Sequence, residues 1–103
     1  MSRPDDVAVA AREIDAPLDV LLCSAASFGN EAFHLAHFSS DAFLTTLTIN
    51  LVSPVVLARS LRDKLLLGQR KLIIMMSTGN ASISGNVEGG MLAYRCSKSG
   101  LNQ

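Results

Sequence analysis

The residues best suited to chemistry are Tyr94, the only tyrosine of the chain, and Lys98, four positions later. If the chain is helical from Met91 onward, the two side chains share one face, one turn apart. A free phenol has a pKa of about 10, and a neighbouring ammonium favours the phenolate. A tyrosine placed in this way can donate a proton to a carbonyl oxygen or remove one from an alcohol. Without further context, the same pair is more often an exposed tyrosine beside an exposed lysine.

Two further polar groups are candidates to assist this pair. Ser77 and Thr78 follow an apolar segment, so their hydroxyls are predicted at the carboxyl end of a strand, where open parallel sheets bind ligands. A hydroxyl there can hydrogen-bond and orient the same carbonyl oxygen. Asn50 lies in a long helical segment where Pro54 weakens the backbone ladder, and it could hold a water that passes protons toward a lysine. The alternative is an ordinary asparagine inside a helix.

The elements that would position these groups follow from the apolar pattern. Segments 18–26 and 71–77 are short and apolar, which predicts strands buried on both faces, although a buried helix fits the period of the first equally well. Between them, a helical period begins at a predicted cap, Ser40–Asp41, and ends at Gly68. Pro54 predicts a kink or a break near residues 50–53.

The order of these elements predicts the fold class. A weakly helical segment, 7–14, precedes the first strand, a glycine-rich loop spans 79–90, and a further helix starts at Met91. Two buried strands joined through a helix make a parallel βαβ unit with a right-handed crossover. We therefore expect a single α/β domain, in which the βαβ unit is followed by the start of the helix that carries Tyr94 and Lys98.

Composition excludes several classes of function. The 103 residues are 49% hydrophobic, and nine basic side chains balance nine acidic ones. A net charge of zero gives no argument for binding nucleic acid or an anionic membrane, and no apolar run approaches the roughly 20 residues that span a bilayer. Residues 1–15 hold four acidic side chains and lack the apolar centre of a secretory signal. The expected location is the cytoplasm.

Cysteine and histidine usage points to no metal. Cys23 and Cys96 are far apart in the sequence, and we expect free thiols in a reducing compartment, Cys96 as a small buried apolar side chain. His34 and His37 have no third ligand in an obvious pattern, so they are interpreted as surface loop residues.

Four segments, in one collinear order, resemble the short-chain dehydrogenase/reductase family, closest to its sniffer-type carbonyl reductase and C-factor branch. The most specific is the stretch after Thr78, which reads G-N-V-E-G-G-M-L-A-Y-R-C-S-K over 85–98. The others are the strand 73–78, the segment T-I-N-L-V-S-P over 48–54, and segment 18–26, which is similar to the strand that ends in N-N-A-G in this family. A Tyr-x-x-x-Lys core is weak evidence alone, but the four ordered matches are specific.

The resemblance implies a partial Rossmann-like fold, from a doubly wound parallel sheet, and a role for each matching residue. Tyr94 would be the acid/base, Lys98 would hold the ribose of an NADP or NAD cofactor, and Asn50 would keep a relay water. The family serine would be Thr78 or Ser77, with Ser82 as a further alternative because its spacing to the tyrosine is common in the wider family. The remaining cofactor contacts would come from Ala25 and Ala26, and the long helix would form an interface between subunits of a homo-oligomer.

Two departures from the family pattern stand out. The N-N-A-G motif reads C-S-A-A here, and Ala26 in place of glycine narrows the approach of the backbone to a cofactor. The glycine-rich nucleotide loop has no counterpart, since the first glycine is Gly29. Because the substrate region is also missing, we expect 1–103 to be a partial domain, an internal fragment that leaves apolar sheet surface bare.

Two functions are consistent with these observations. The first is an NAD(P)-dependent oxidoreductase that interconverts a small carbonyl compound and an alcohol by hydride transfer. The second is a catalytically silent chain that associates with a full-length reductase or is a non-functional remnant. We expect the isolated chain to bind a nicotinamide cofactor weakly or not at all.

Overall fold

Two parallel strands, β1 (Val20–Cys23) and β2 (Leu72–Met75), form the sheet in the computed structural model, which describes residues 4–29, 35–87 and 89–103. Val20 lies opposite Leu72, and Cys23 lies opposite Met75. The chain between the strands is largely helical. The predicted α/β class and the parallel βαβ unit are therefore confirmed.

The described residues form five α-helices around these two strands in sequence. The first, α1 (Pro4–Arg12), precedes β1 and carries acidic residues in its first turn, where they complement the helix dipole. The long helical region between the strands consists of α2 (Ser40–Leu47), a π-helical turn (Thr48–Val52), α3 (Ser53–Ser60) and α4 (Arg62–Leu67). The last helix is α5 (Leu92–Leu101), and short 3-10 turns occur at Leu35–His37 and Gly79–Ala81.

The start of the long helical region lies within one residue of the prediction. The cap is Ser39 rather than Ser40, because the Ser39 hydroxyl accepts a hydrogen bond from the backbone N–H of Ala42 at 3.2 Å. The end is at Gly68, as predicted. Gly68 has φ −74°, and a Cβ there would lie 1.8 Å from the carbonyl oxygen of Leu18. A close approach of two backbones therefore requires this glycine.

Pro54 changes the hydrogen-bond ladder where the kink or break was predicted. Proline has no N–H for the carbonyl of residue 50, four positions earlier. Just before the proline, the backbone N–H of Ser53 bonds to the carbonyl oxygen of Thr48, five residues back, where an α-helix would use the one four residues back. This i to i−5 bond is what makes the turn π-helical. The helical path continues through this turn, and the change of direction comes later, at Leu61, with φ −97° and ψ 3°.

The prediction that both strands are buried on two faces is wrong. In β1, Leu21 and Cys23 face a core of helix residues, whereas the alternate residues are exposed. The apolar residues of the opposite sheet face are 39–55% exposed: Val20, Leu22, Leu72 and Ile74. The helices described here pack against the face of Leu21 and Cys23, and even on that face Ile73 of β2 is 45% exposed. The expected bare apolar surface is confirmed by these exposures.

One helical stretch, Ser40–Ser60, is apolar and long enough to cross a membrane by length and composition, a test that core helices of soluble proteins also pass. The absence of any such segment was expected from the sequence, and the structure corrects this. Three polar side chains of this stretch, those of Thr46, Asn50 and Ser53, are at most 2% exposed. Asn50 hydrogen-bonds to other elements of the fold, as a core helix residue would.

Candidate active site

One face of α5 carries the predicted pair inside the protein. Tyr94, Ser97 and Lys98 occupy positions i, i+3 and i+4, and all three are at most 7% exposed. The helix begins after Met91, whose φ of 47° is left-handed, and the two preceding glycines also have positive φ. This turn brings the chain from the 79–90 loop into α5, which directs Tyr94 inward. The alternative of an exposed tyrosine beside an exposed lysine does not apply.

The amine of Lys98 lies at the carboxyl end of β2. Its Nζ donates a hydrogen bond to the carbonyl oxygen of Met76 at 2.9 Å, one residue before Ser77. Burial lowers the pKa of Lys98, because the charged form loses hydration. Within ranges 4–29, 35–87 and 89–103, no carboxylate forms an ion pair with this amine. The cation is therefore held next to the strand end that the sequence predicted as the ligand-binding edge.

Asn50 joins three parts of the chain through one carboxamide. Its Oδ1 accepts a hydrogen bond from the backbone N–H of Ser27 at 2.8 Å, and its Nδ2 donates to the Ser27 carbonyl oxygen at 2.8 Å. The same Nδ2 donates to the hydroxyl of Ser97 at 3.0 Å, and that hydroxyl donates to the Tyr94 carbonyl oxygen at 2.7 Å. Asn50 thus connects the loop after β1 to the turn of α5 that bears Tyr94.

An aromatic contact on Tyr94 was not predicted from the sequence. The Phe28 ring lies 4.7 Å from the Tyr94 ring, centroid to centroid, at an angle of 36°. Phe28 is half-exposed, so it covers the tyrosine ring from the solvent side. No local signal could have found this contact, because 66 positions separate the two residues. The Phe28 ring therefore adds to the burial of Tyr94.

The two hydroxyls predicted at the strand end have different environments. The Ser77 hydroxyl is exposed and donates to the side-chain oxygen of Asn102 at 2.7 Å. The Thr78 hydroxyl is half-buried and accepts from the backbone N–H of Asn80 at 3.3 Å, which caps the following 3-10 turn. Both follow β2 as expected, and both already have a partner within the chain.

The third candidate, Ser82, lies further along the loop. Its hydroxyl is exposed and accepts from the backbone N–H of Gly85 at 3.0 Å. It lines a cavity of about 410 Å³ together with Arg95 and Cys96 of α5. By helical periodicity, these two residues occupy a different face of α5 from Tyr94 and Lys98.

The positions predicted to contact a cofactor fit only part of it. Ala25 and Ala26 are exposed in the segment that follows β1, so a ligand can reach their backbone. Lys98 provides an amine beside the adjacent strand end, and Tyr94 lies one turn earlier on the same face of α5, an arrangement that suits the ribose of a nicotinamide nucleotide. Within the described ranges, the chain has no strand, glycine turn and helix of the kind that binds pyrophosphate. The residues present therefore fit the nicotinamide–ribose end alone.

The remaining predicted residues are two histidines and two cysteines. His34 lies outside the described residues, and His37 is exposed in a 3-10 turn. No group of three or more histidine, cysteine or acidic residues in the described ranges could hold a metal ion. Cys23 and Cys96 are free thiols. The expectation of a buried Cys96 is wrong, since this thiol is exposed on the outer face of α5, whereas Cys23 is buried.

Comparisons with solved structures identify relatives over almost the whole chain. A Burkholderia multivorans protein described as a short-chain dehydrogenase/reductase, solved with bound NADP, is 31% identical with a TM-score of 0.79. The carbonyl reductase Sniffer of Drosophila melanogaster is 32% identical with a TM-score of 0.81. An NADPH-bound carbonyl reductase from chicken fatty liver has a TM-score of 0.83 at 23% identity, which shows the fold alone.

These matches cover 98–99% of this chain and 44–47% of the solved chains, so the chain spans less than half the length of these relatives. No protein-family model matches the sequence, and no curated protein matches it. The solved structures confirm the predicted resemblance to the short-chain dehydrogenase/reductase family, including its carbonyl reductases. They also confirm the partial Rossmann-like fold.

Proposed function

We propose that this chain, similar to short-chain dehydrogenases/reductases, carries the acid–base part of an NAD(P)-dependent oxidoreductase. The reaction interconverts a small carbonyl compound and an alcohol. One observation carries the proposal: Tyr94 and Lys98 are buried on one face of α5, and the Lys98 amine is bonded to the Met76 carbonyl oxygen at the carboxyl end of β2.

Each residue has a role that follows from its position. A reduced nicotinamide, when bound, supplies the hydride that the carbonyl carbon gains. The Tyr94 hydroxyl donates the proton that the carbonyl oxygen gains, which leaves a phenolate. The Lys98 ammonium stabilises that phenolate. The hydroxyl of Thr78 or Ser77 orients the substrate by donating a hydrogen bond to its oxygen. In the oxidative direction the phenolate removes the alcohol proton.

The role of Asn50 in this proposal is to hold the site together. Both N–H donors of its carboxamide are used, by Ser27 and Ser97, and its Oδ1 accepts from the Ser27 N–H, so the side chain positions α5 relative to the segment after β1. The relay water implied by the resemblance would have to bind at another group of this turn. We assign this water to the Asn50 carbonyl oxygen, because Pro54, four residues on, provides no N–H for it.

The cofactor class is supported by the bound NADP of the Burkholderia multivorans relative and the bound NADPH of the chicken enzyme. We expect binding to this chain to be weak, because Ala25, Ala26, Tyr94 and Lys98 would contact one end of the cofactor alone. Calorimetric titration of the 103-residue protein with NADPH tests this. Micromolar affinity would contradict the expectation.

The activity is tested by NADPH oxidation at 340 nm with 4-nitrobenzaldehyde, comparing the chain with its Tyr94→Phe variant. Phenylalanine keeps the ring that contacts Phe28 and removes the hydroxyl, so the fold should be retained. Turnover by the chain that falls at least ~100-fold in the variant supports the proposal, since general acid–base catalysis contributes about 10²–10⁴-fold. Equal turnover in both removes Tyr94 from its role.

A second function is supported by the bare sheet face. Four exposed apolar residues, Val20, Leu22, Leu72 and Ile74, form a surface suited to association. The chain would then be catalytically silent and would associate with a full-length reductase or be a non-functional remnant. Turnover that is absent from the chain at millimolar NADPH would favour this function over the first.

We also propose that the chain self-associates through its long helical region. The long helical region exposes Leu44, Val52 and Val55, which could pack against a second copy. Light scattering across a concentration series tests for the homo-oligomer, and a constant monomer mass would contradict it.

We also propose a cytoplasmic location, in keeping with the two free thiols.

A further inference from the structure

A groove that shares no lining residue with the proposed site combines an apolar floor with a cationic rim. It has a volume of about 350 Å³ and lies between the end of α3, α4 and the start of β2. Its apolar lining is Ala58, Leu65, Leu66 and Ile73, and its charged lining is Arg59, Arg62 and Lys71. None of its lining residues is acidic.

The sequence around the groove has an unusual charge distribution. Five of the nine basic side chains lie within residues 59–71: Arg59, Arg62, Lys64, Arg70 and Lys71. One of the nine acidic side chains, Asp63, lies in the same segment. The chain is neutral as a whole, so this segment concentrates positive charge that the rest of the chain balances. A surface of this kind attracts anions.

The cations at the rim are available to a ligand to different degrees. Lys71 is held in place, because its Nζ donates to the Gly68 carbonyl oxygen at 2.8 Å while its backbone has a left-handed φ of 54°. Arg62 pairs with Asp63 at 3.3 Å, but both side chains are at least 70% exposed, and such a pair is weak and easily replaced. Arg59 is exposed on the last turn of α3.

We propose that this groove binds a single-chain amphiphile with an anionic head group. The carboxylate or phosphate of the ligand would contact the guanidinium and ammonium groups of Arg59, Arg62 and Lys71. Its alkyl tail would lie along Leu66 and Ile73, which are 49% and 45% exposed without a ligand.

The size of the groove favours this ligand over a protein partner. Small-molecule sites measure about 300–1,000 Å³, are mostly apolar and contain a few placed polar groups. This groove falls at the lower end of that range. A stable protein interface buries about 800 Å² on each partner, which is more than seven lining residues provide.

The proposal is tested by calorimetry with dodecanoate and dodecyl phosphate below their critical micelle concentrations. Both should bind with one site per chain. Dodecyltrimethylammonium, with the same tail and the opposite charge, should bind at least about tenfold more weakly, because it meets like charges at the rim. Equal affinity for the cationic and anionic amphiphiles would overturn the proposal.

Matched substitutions locate the site. Arg62→Gln should weaken dodecanoate binding by about fivefold, the size expected for an exposed charge contact, whereas Arg70→Gln removes a cation that does not line the groove and should change nothing. Leu66→Ala should weaken binding through the lost tail contact, whereas Leu67→Ala, at a more exposed position outside the groove, should not. Equal effects within each pair would contradict this location.

Two further measurements distinguish other binding modes. Leu22 lies on the bare sheet face, so Leu22→Ser tests whether the amphiphile binds there. A loss of binding in Leu22→Ser, with no loss in Arg62→Gln, would assign the amphiphile to the sheet and overturn the proposal. Binding to vesicles of phosphatidylglycerol and phosphatidylcholine, with none to the free amphiphiles, would overturn the proposal in favour of a membrane surface.

Discussion

Replacing Asn50 by aspartate tests the hydrogen-bond network that positions the proposed site. The side chains have the same shape, and Asn50 is 0% exposed, so the change acts through hydrogen bonds and charge alone. The Oδ1 acceptor for the Ser27 N–H is kept. The Nδ2 donor is replaced by oxygen, which affects the Ser27 carbonyl oxygen at 2.8 Å and the Ser97 hydroxyl at 3.0 Å.

The cost of this change depends on the protonation of the new carboxyl group. Protonated, it retains one O–H donor for the Ser27 carbonyl oxygen and loses one hydrogen bond, about 1 kcal/mol. Ionised, it leaves that carbonyl oxygen without a donor and buries a charge, so the loss should reach about 3–4 kcal/mol. Because the ionised form costs more than the protonated form, burial raises the folded-state pKa of this carboxyl group above the ordinary aspartate value of about 3.9.

The sign of the pH dependence follows from this raised pKa. Between about pH 4 and the folded-state pKa, the native protein binds more protons at this group than the unfolded protein, so the free energy of unfolding falls as pH rises. Urea unfolding followed by circular dichroism, at constant ionic strength, should show a loss near 1 kcal/mol at pH 4 and about 3–4 kcal/mol at pH 7 for Asn50→Asp. Wild type measured at both pH values provides the reference.

The control is Asn86→Asp. The Oδ1 of Asn86 accepts from the backbone N–H of Gly89 at 2.9 Å in an exposed loop, and a carboxylate keeps that bond. Stability should change by less than about 0.5 kcal/mol. An equal loss for Asn50→Asp at pH 4 and pH 7 would refute the reasoning, since it would mean that the carboxyl group is not buried among these acceptors.

Three further changes test other features of the structure. Gly68→Ala should destabilise the protein by about 2–3 kcal/mol in urea unfolding, because its Cβ would lie 1.8 Å from the Leu18 carbonyl oxygen. Iodoacetamide should alkylate exposed Cys96 readily and Cys23 only on unfolding, since burial also raises the pKa of Cys23; mass spectrometry of peptides measures both. Burial lowers the pKa of Lys98 in the folded protein, so as pH rises toward 10.5 the unfolded protein binds more protons at this group than the folded protein does. The free energy of unfolding of wild type should therefore increase with pH relative to that of Lys98→Met.

Each of these changes has a control in the same chain or an outcome that would contradict it. Gly79→Ala meets no atom within 4 Å, so it should be neutral or stabilise by up to about 1 kcal/mol. Equal losses at Gly68 and Gly79 would contradict the steric argument. Equal alkylation rates for the two cysteines in the native state would contradict the burial of Cys23. A stability difference between wild type and Lys98→Met that does not change with pH would contradict the burial of the Lys98 amine.

Local features of the fold were predictable because they depend on neighbours in sequence. The helical period predicted the region that ends at Gly68, and Pro54 predicted a disturbed backbone ladder near Asn50. A spacing of four residues placed Tyr94 and Lys98 on one helix face, as found. Each of these inferences needs knowledge of only a few residues along one element.

Tertiary structure alone decided which groups meet and which surfaces are buried. Asn50 bonds to Ser27 and Ser97, which are 23 and 47 positions away, and the Lys98 amine meets a carbonyl oxygen 22 positions earlier. The strands look buried on both faces in the sequence, but burial depends on what packs against each face, and the described helices cover only one. Residue types and spacing therefore determined the candidate acid–base pair and its helix, whereas contacts distant in sequence determined its partners, because local patterns contain no information on how elements pack.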